Sequence, residues 1–387
     1  MNLLPSIVAA LCLWSVQDAD ALQKMLALVK DGPSEALQGR LEAMNRDLLQ
    51  KTSVPELLAA AENHRRVQAA MKAVAGAGGK TTTEPGGPAE LRTLVGDEPM
   101  GVFTRLVGVS LSAGVNAHAA DYKLNTKIGD AWMDALAGLT DVRTLNLENT
   151  DLHGPGLVPV GTLRRLESLN LTLCPVTDEP MSALSGLTEL KVLGLASTKV
   201  TGTGMKALQG FTKLENLNLH NTPVNDAGLE WIGKLSSLKR LEIVHTQFTD
   251  EGAKALSGLV NLERLQLGSR KATGASLAVL KSCPKLVELD VHDGMLSPEG
   301  MKNVAAIPTL RVLRAYNGKA GDEGLHALAG HPQLESLTLE GLGITDAGLA
   351  ALAEIPHLKK LVIKDPRISE TAIAALKAKV AALEVSR

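Results

Sequence analysis

The sequence predicts an α/β right-handed solenoid, with a parallel β-sheet on its concave side and short helices on its convex side, preceded by a small helical region. Three observations carry that expectation. From about residue 124 the chain repeats with a period of 24 residues. Each repeat contains L-x-x-L-x-L, whose last two leucines are two residues apart, the spacing of a short strand with one buried face. After each strand the apolar interval changes to three, as in Leu229, Ile232 and Leu235 or Met181, Leu184 and Leu187, so one stripe of a short helix packs back on the strand.

The columns of the repeat are regular. One runs from Leu145 to Leu361 with leucine in every repeat. A partner column two residues later runs from Leu147 to Ile363, departing from leucine only at Ile243, Val291, Ala315 and Ile363. A third begins at Val142 and ends at Leu358, and a fourth runs from Leu152 to Ile368. Ten repeats pass without an insertion or deletion. Thr177-Asp178, Asn225-Asp226, Thr249-Asp250 and Thr345-Asp346 mark helix starts, because their side chains accept from the free N–H groups of a first turn. Gly228, Gly252 and Gly348 follow two residues later, with Gly324 in the same column after Asp322, where neighbouring coils are expected to pass closely.

Composition agrees with stacked small layers. Of 387 residues 45% are hydrophobic, but only 2% are aromatic, so leucine, valine, isoleucine and alanine must fill the core. The formal charge of −2, from 40 basic and 42 acidic residues, removes the electrostatic case for nucleic-acid binding. Three cysteines build neither a disulfide framework nor a cysteine-rich zinc site.

The unit L-x-x-L-x-L-x-x-T-x-V-T-D-x-G-L-x-x-L, best seen from Leu214 to Leu235, resembles the leucine-rich repeat family. It is most similar to the ribonuclease-inhibitor-like, cysteine-containing class, which includes F-box receptors and many bacterial repeat proteins. The resemblance covers about two thirds of the chain and implies a horseshoe fold; it says almost nothing about biochemical function. The family's Asn/Cys position is Cys174 here and Thr150, Thr198, Thr222 and Thr246 elsewhere, where a hydroxyl serves the same loop carbonyls. The column then runs Arg270, Gly294, Gly318, Leu342 and Pro366, so the later turns are expected to be irregular.

Upstream the sequence divides into four stretches. Residues 1–21 read as a signal peptide: positions 1–17 carry no charge, fall short of the roughly 20 residues of a membrane span, and lead to Ala19-Asp20-Ala21 as an A-x-A site. Export to the periplasm or exterior is the expectation, with no membrane span left after cleavage; a buried helix of a cytoplasmic protein is the alternative. Residues 22–75 have helical periodicity, with Ser53-Val54-Pro55-Glu56 as a capping box opening a helix through Leu57, Leu58, Val67 and Met71. Residues 76–100 read as a Gly/Pro/Thr-rich linker. Gly79-Lys80-Thr81 imitates the end of a phosphate-binding loop, but Val74 stands where the pattern needs glycine. Residues 101–140, with Leu106–Leu111 and the half-repeat Thr126, Ile128, Asp130, Met133, Leu136 and Leu139, form the expected N-terminal cap. The array proper occupies 141–387, with Val380, Leu383 and Val385 as a closing strand.

In this fold the non-leucine strand positions line the concave face. The middle repeats bring Asn218, His220, Glu242, His245, Asp290, His292, Asp293, Arg314 and Tyr316 to one surface, a mixture of aromatic, basic and acidic groups suited to protein recognition. A zinc-like set of His220, His245 and Glu242 is conceivable, but a curved sheet splays such groups, and solvated contact residues are expected instead. No Ser-His-Asp or Cys-His arrangement stands out, and Cys174 and Cys283 read as inert buried thiols. The expectation is a non-catalytic, monomeric scaffold without cofactor or metal that binds a protein partner. The alternatives are a recognition or regulatory subunit of an enzyme complex, with helices 22–75 as docking element, or a structural cell-envelope protein.

Overall fold

The computed structural model describes residues 54–86, 104–112, 124–380 and 382–387. The expected signal peptide and the helical pattern up to residue 53 lie outside the described residues. The strands, in chain order, are β1 (Lys80–Glu84), β2 (Arg105–Ser110), β3 (Asn125–Gly129), β4 (Thr144–Asn146), β5 (Thr150–Asp151), β6 (Ser168–Asn170), β7 (Val192–Gly194), β8 (Asn216–Asn218), β9 (Arg240–Thr246), β10 (Arg264–Ser269), β11 (Glu288–His292), β12 (Val312–Tyr316), β13 (Ser336–Glu340), β14 (Lys360–Lys364) and β15 (Glu384–Ser386). Thirteen of them form one sheet in the order β1-β2-β4-β6 and then β7 through β15, while β3 pairs with β5. Pairing in the large sheet is parallel except between β1 and β2.

The sheet register is the sequence period made physical. Leu145 lies opposite Leu169, Leu217 opposite Leu241, Leu289 opposite Leu313, and Leu361 opposite Val385. All four apolar columns are buried, so each coil shields its leucines only against the coils on either side. The convex elements are short, and several are 3-10 helices, including Glu179–Gly186, Gly204–Gly210 and Ala275–Ser282. A helix with three residues per turn keeps side chains at i and i+3 on one line, which is why the apolar interval there is three.

Two polar devices brace the array, the first mainly within each coil and the second between neighbouring coils. In the first, a threonine hydroxyl beneath the strand end donates to the carbonyl three residues earlier: Thr150 to Leu147, Thr198 to Leu195, Thr222 to Leu219 and Thr246 to Ile243, at 2.6–3.0 Å. Cys174 stands in the same column but reaches back one coil, its Sγ donating to the Leu147 carbonyl at 3.0 Å. After Thr246 this column lapses, and Ser269, one residue early, donates instead to Phe248 O at 2.5 Å.

The second device corrects an expectation. Asn225, Thr249 and Thr345 do cap their helices, but Thr177 does not, and the aspartates beside them reach forward to the next coil. Asp226 accepts from Thr249 N and Oγ1 at 2.6 and 2.7 Å. Asp250 accepts likewise from Thr273, Asp322 from Thr345 and Asp346 from Ser369. Gly252 and Gly348 stand where a Cβ would strike the Asp226 and Asp322 carboxylates, so the close passage has a specific cause.

Among the described residues a helix and an edge strand cover the N-terminal end of the core, and residues 87–103 lie outside the described residues. The helix α1 (Val54–Gly76) buries Val67, Ala70 and Val74, at 3–4 spacing, in the same core as the repeats and packs on β1 and β2. Its described part therefore uses its apolar face internally, which removes that face from service as an external docking element. Within the stretch expected to be a linker, Lys80–Glu84 is an edge strand: three consecutive β-branched threonines pair antiparallel with β2. Val109 of β2 is in register with Leu145, where the 24-residue arithmetic would have placed Asp121. The first coil thus carries twelve additional residues (121 − 109) between strand and half-repeat. At the other end, β15 adds to β14.

Candidate functional site

Alternation along each strand sends the leucines inward and the residues between and beside them outward. The outer residues form the concave face. At or just past the end of most strands the backbone enters the left-handed region, at Asn149, Leu173, Ser197, Asn221, His245, Asp293 and Asn317, with φ between 51° and 64°. These positions, among them His245 and Asp293 expected on the strand face, are corners where the chain turns away from the sheet. Asn and Asp tolerate that conformation because their short polar side chains bond locally.

The N-terminal half of the face, over β1 to β9, is a broad cleft of about 720 Å³. Its floor is small and neutral: Thr144, Asn146, Ser168, Asn170, Val192, Gly194, Asn216 and Asn218. Asn146, Asn170 and Asn218 share one geometry, each Oδ1 accepting the backbone N–H two residues on, at 2.9–3.0 Å. The amide oxygen is thereby held at the strand and the NH2 group is turned outward. Asn218 donates to the Glu242 carboxylate. Lys80 and Arg240 stand at the two ends of the cleft.

From β9 onward the face is ionic and paired within itself. A second cavity of about 380 Å³ is lined by Arg240, Glu242, Arg264, Gln266, Glu288, Asp290 and Arg314. Arg314 Nη1 holds Asp290 at 2.8 Å and lies 3.8 Å from Glu288, which also takes Arg264 at 3.0 Å. Burial pushes the Asp290 carboxyl above the ordinary aspartate value, even against the Arg314 guanidinium. Burial, then the charge of Asp290, does the same to Glu242. His292 stacks on Tyr316 with ring centres 4.5 Å apart; burial lowers the His292 pKa and raises that of Tyr316. At the corner, His245 Nδ1 meets Asp293 Oδ1 at 2.8 Å, and Asp293 also accepts the His245 backbone N–H at 3.1 Å. The His220 ring sits edge-on to His245 at 5.1 Å.

A family model for the leucine-rich repeat matches residues 163–185 and 234–257, the segments that carry β6 and β9. The chain is a leucine-rich repeat protein. Among solved structures, an internalin (inlF) of Listeria monocytogenes is similar at 22% identity and a TM-score of 0.52, over 65% of this chain and 69% of its own. An internalin C2 of the same organism is similar at 23% identity and a TM-score of 0.44, over 54% of this chain and 80% of its own. The plant peptide hormone receptor RGFR1, solved in complex with RGF2, is similar at 15% identity and a TM-score of 0.40, over 65% of this chain and 44% of its own. At these identities the likeness is one of fold. No curated protein matches the sequence.

The leucine-rich repeats place the nine residues singled out from the sequence in four groups. Asn218 joins Glu242 at the edge of the large cleft; Asp290 joins Arg314; His292 joins Tyr316; and His220 and His245 join Asp293. The zinc-like trio does not form: His245 turns to Asp293, two coils away, and among the described residues no group of three His, Cys, Asp or Glu is arranged to hold a metal ion. Gly268 makes that reach possible, since a Cβ there would lie 2.7 Å from Asp293 Oδ2. The buried thiols of Cys174 and Cys283 are pushed up by burial, the latter to about 11, so both stay protonated at neutral pH. His331 is a core residue, bonded to Ile307 O at 3.0 Å. Sequence reasoning singled out Asn218 but not its equivalents Asn146 and Asn170, nor Lys80. The repeated asparagine at a 24-residue interval was the available signal for the first two.

Proposed function

We propose that this protein is a non-catalytic scaffold that binds a protein partner on the concave face of its leucine-rich repeats. The observation that carries this reading is the open cleft of about 720 Å³ with outward amide and hydroxyl groups along successive strands. Such a surface offers hydrogen bonds over many coils, which suits an extended macromolecular contact. Asn218, Glu242 and the paired groups from Asp290 to Tyr316 continue the surface beyond the cleft, where Arg and Tyr supply anchors.

Photo-crosslinking tests the reading. A benzoylphenylalanine at Val192, which is 37% exposed within the cleft, is expected to form adducts with the partner protein; one at Lys206, on the convex helix Gly204–Gly210, is not. Adducts formed from Lys206 alone would place the interface on the opposite side. Turnover of any substrate abolished by His245→Ala would replace the scaffold with an enzyme.

A further inference from the structure

The cleft's chemistry narrows the kind of partner. The Oδ1 atoms of Asn146 and Asn170 are each occupied by a backbone N–H at 3.0 Å, so what these side chains present outward is donors. No described group accepts from them. The two residues are register partners on β4 and β6, at an interstrand spacing of about 4.8 Å. The neighbouring Thr144 and Ser168 are also register partners and add hydroxyls. A row of donors calls for acceptors on the partner.

The charges agree with the donors. Lys80 and Arg240 are exposed, line opposite ends of the cleft, and form no ion pair among the described residues. In the other half of the face, Arg264, Arg314 and Lys364 each hold an acid. The one carboxylate in the lining, Glu242, accepts from Asn218 and feels the Arg240 charge without pairing with it, and burial, then the charge of Asp290, holds it above the ordinary glutamate value. Glu148, near the end of β4, does not line the cleft and receives Ser112 Oγ at 3.5 Å.

On this basis we propose that the cleft between Lys80 and Arg240 binds an extended acidic segment of a protein partner, its carboxylates taken by the two cations and by the amides of Asn146 and Asn170. The proposal rests on the concave face being the partner surface, and it adds the partner's charge and shape. Six strand steps separate β1 from β9, about 29 Å at strand spacing, which an extended peptide of about nine residues covers. Gly194 lets the Asn170 side chain lie close, since a Cβ there would stand 2.7 Å from Asn170 Oδ1, and the exposed Val192 beside it offers apolar contact at the centre of the cleft. No aromatic ring lines the cleft, so the stacking platform a sugar chain would use is missing, which favours peptide over glycan.

Fluorescence anisotropy on the full chain tests this, using labelled peptides of about twelve residues built from Asp-Ala-Ser, Asn-Ala-Ser or Lys-Ala-Ser units. The Asp peptide is expected to bind, the Asn peptide about tenfold more weakly, and the Lys peptide not at all. Lys80→Glu with Arg240→Glu should weaken the Asp peptide by at least about tenfold, as should Asn146→Leu with Asn170→Leu. Lys360→Glu, an exposed cation on the same sheet at its far end, should leave binding unchanged, and circular dichroism should show all variants folded. Equal or tighter binding of the neutral or basic peptide, indifference to the Lys80/Arg240 exchange, tighter binding of dextran sulfate through the same residues, or no binding of any peptide would each overturn the acidic segment. If the neutral or basic peptide binds and Val192→Trp blocks it, the concave-face reading survives that loss. If binding responds only to Lys206→Glu on the convex side, both readings fall.

Discussion

Strands β4 to β8 and strands β9 to β14 rest on the same leucine layers and present opposite chemistry. In the first group the face is small, neutral and rich in outward donors; in the second, arginines, histidines and carboxylates pair with one another. The interior obliges each repeat to keep its leucines, because a coil is covered only by its neighbours, whereas the face is free to vary. Where the face is charged, its groups neutralise one another and a partner must displace existing pairs. Where it is neutral, the donors are still open. The polar bracing differs too: the threonine column holds from Thr150 to Thr246 and lapses at Arg270.

The largest expected effect tests whether the interior is as uniform as it looks. Leu217→Ala and Leu313→Ala remove equivalent, fully buried side chains from the two halves. Each should cost about 2–5 kcal/mol in urea denaturation. Similar losses confine the difference between the halves to the face; losses differing by more than about 2 kcal/mol, beyond the usual spread for this exchange, would move it into the core.

A smaller effect sharpens the contrast in bracing. Thr222 is buried and its hydroxyl holds the Leu219 carbonyl at 2.6 Å. Thr222→Val keeps the shape and orphans that carbonyl, for an expected loss of about 1–3 kcal/mol. Arg270 occupies the same column at the lapse, one coil past Thr246, and is exposed. Arg270→Ala should change stability by no more than about 0.5 kcal/mol. Equal effects at the two positions would mean that the lapse in the column has no energetic meaning.

The sequence made the leucine columns legible because burial between coils tolerates little else at those positions. It also made the asparagine corners legible in principle, since Asn149, Asn221 and Asn317 suit a left-handed backbone. Leu173, Ser197 and His245 adopt the same conformation without any local signal, so there the stacking of coils dictates the backbone. The aspartates looked like helix caps because the Thr-Asp pair is a local motif. Their bond to the following coil depends on how coils stack, which a motif does not encode. The His245–Asp293 pair was hidden for a similar reason, since it crosses a whole coil at Gly268. In β1 the flanking Gly and Pro residues obscured the threonine run that forms the strand.

The smallest effect separates the two classes of carboxylate by sign. Glu242 and Asp290 on the face have pKa values raised by burial, so the folded state binds their protons more tightly than the unfolded chain does. Their contribution to stability is complete below the unfolded values, near 4.5 and 3.8, and is lost as pH rises through the higher folded ones. Asp178 and Asp250, between coils, behave oppositely. Burial pushes each up, but bonds from Thr201 and Thr203 to Asp178, and from Thr273 and Ser276 to Asp250, outweigh it and hold both below 3.8. Their contribution is present above 3.8 and is lost as pH falls through the folded values. Urea midpoints from about pH 3 to about pH 7 should therefore show Glu242→Gln gaining on the natural protein as pH rises. Over the same range Asp178→Asn should fall further behind it. Differences that run in the same direction with pH would show that the face and the bracing between coils do not oppose each other electrostatically.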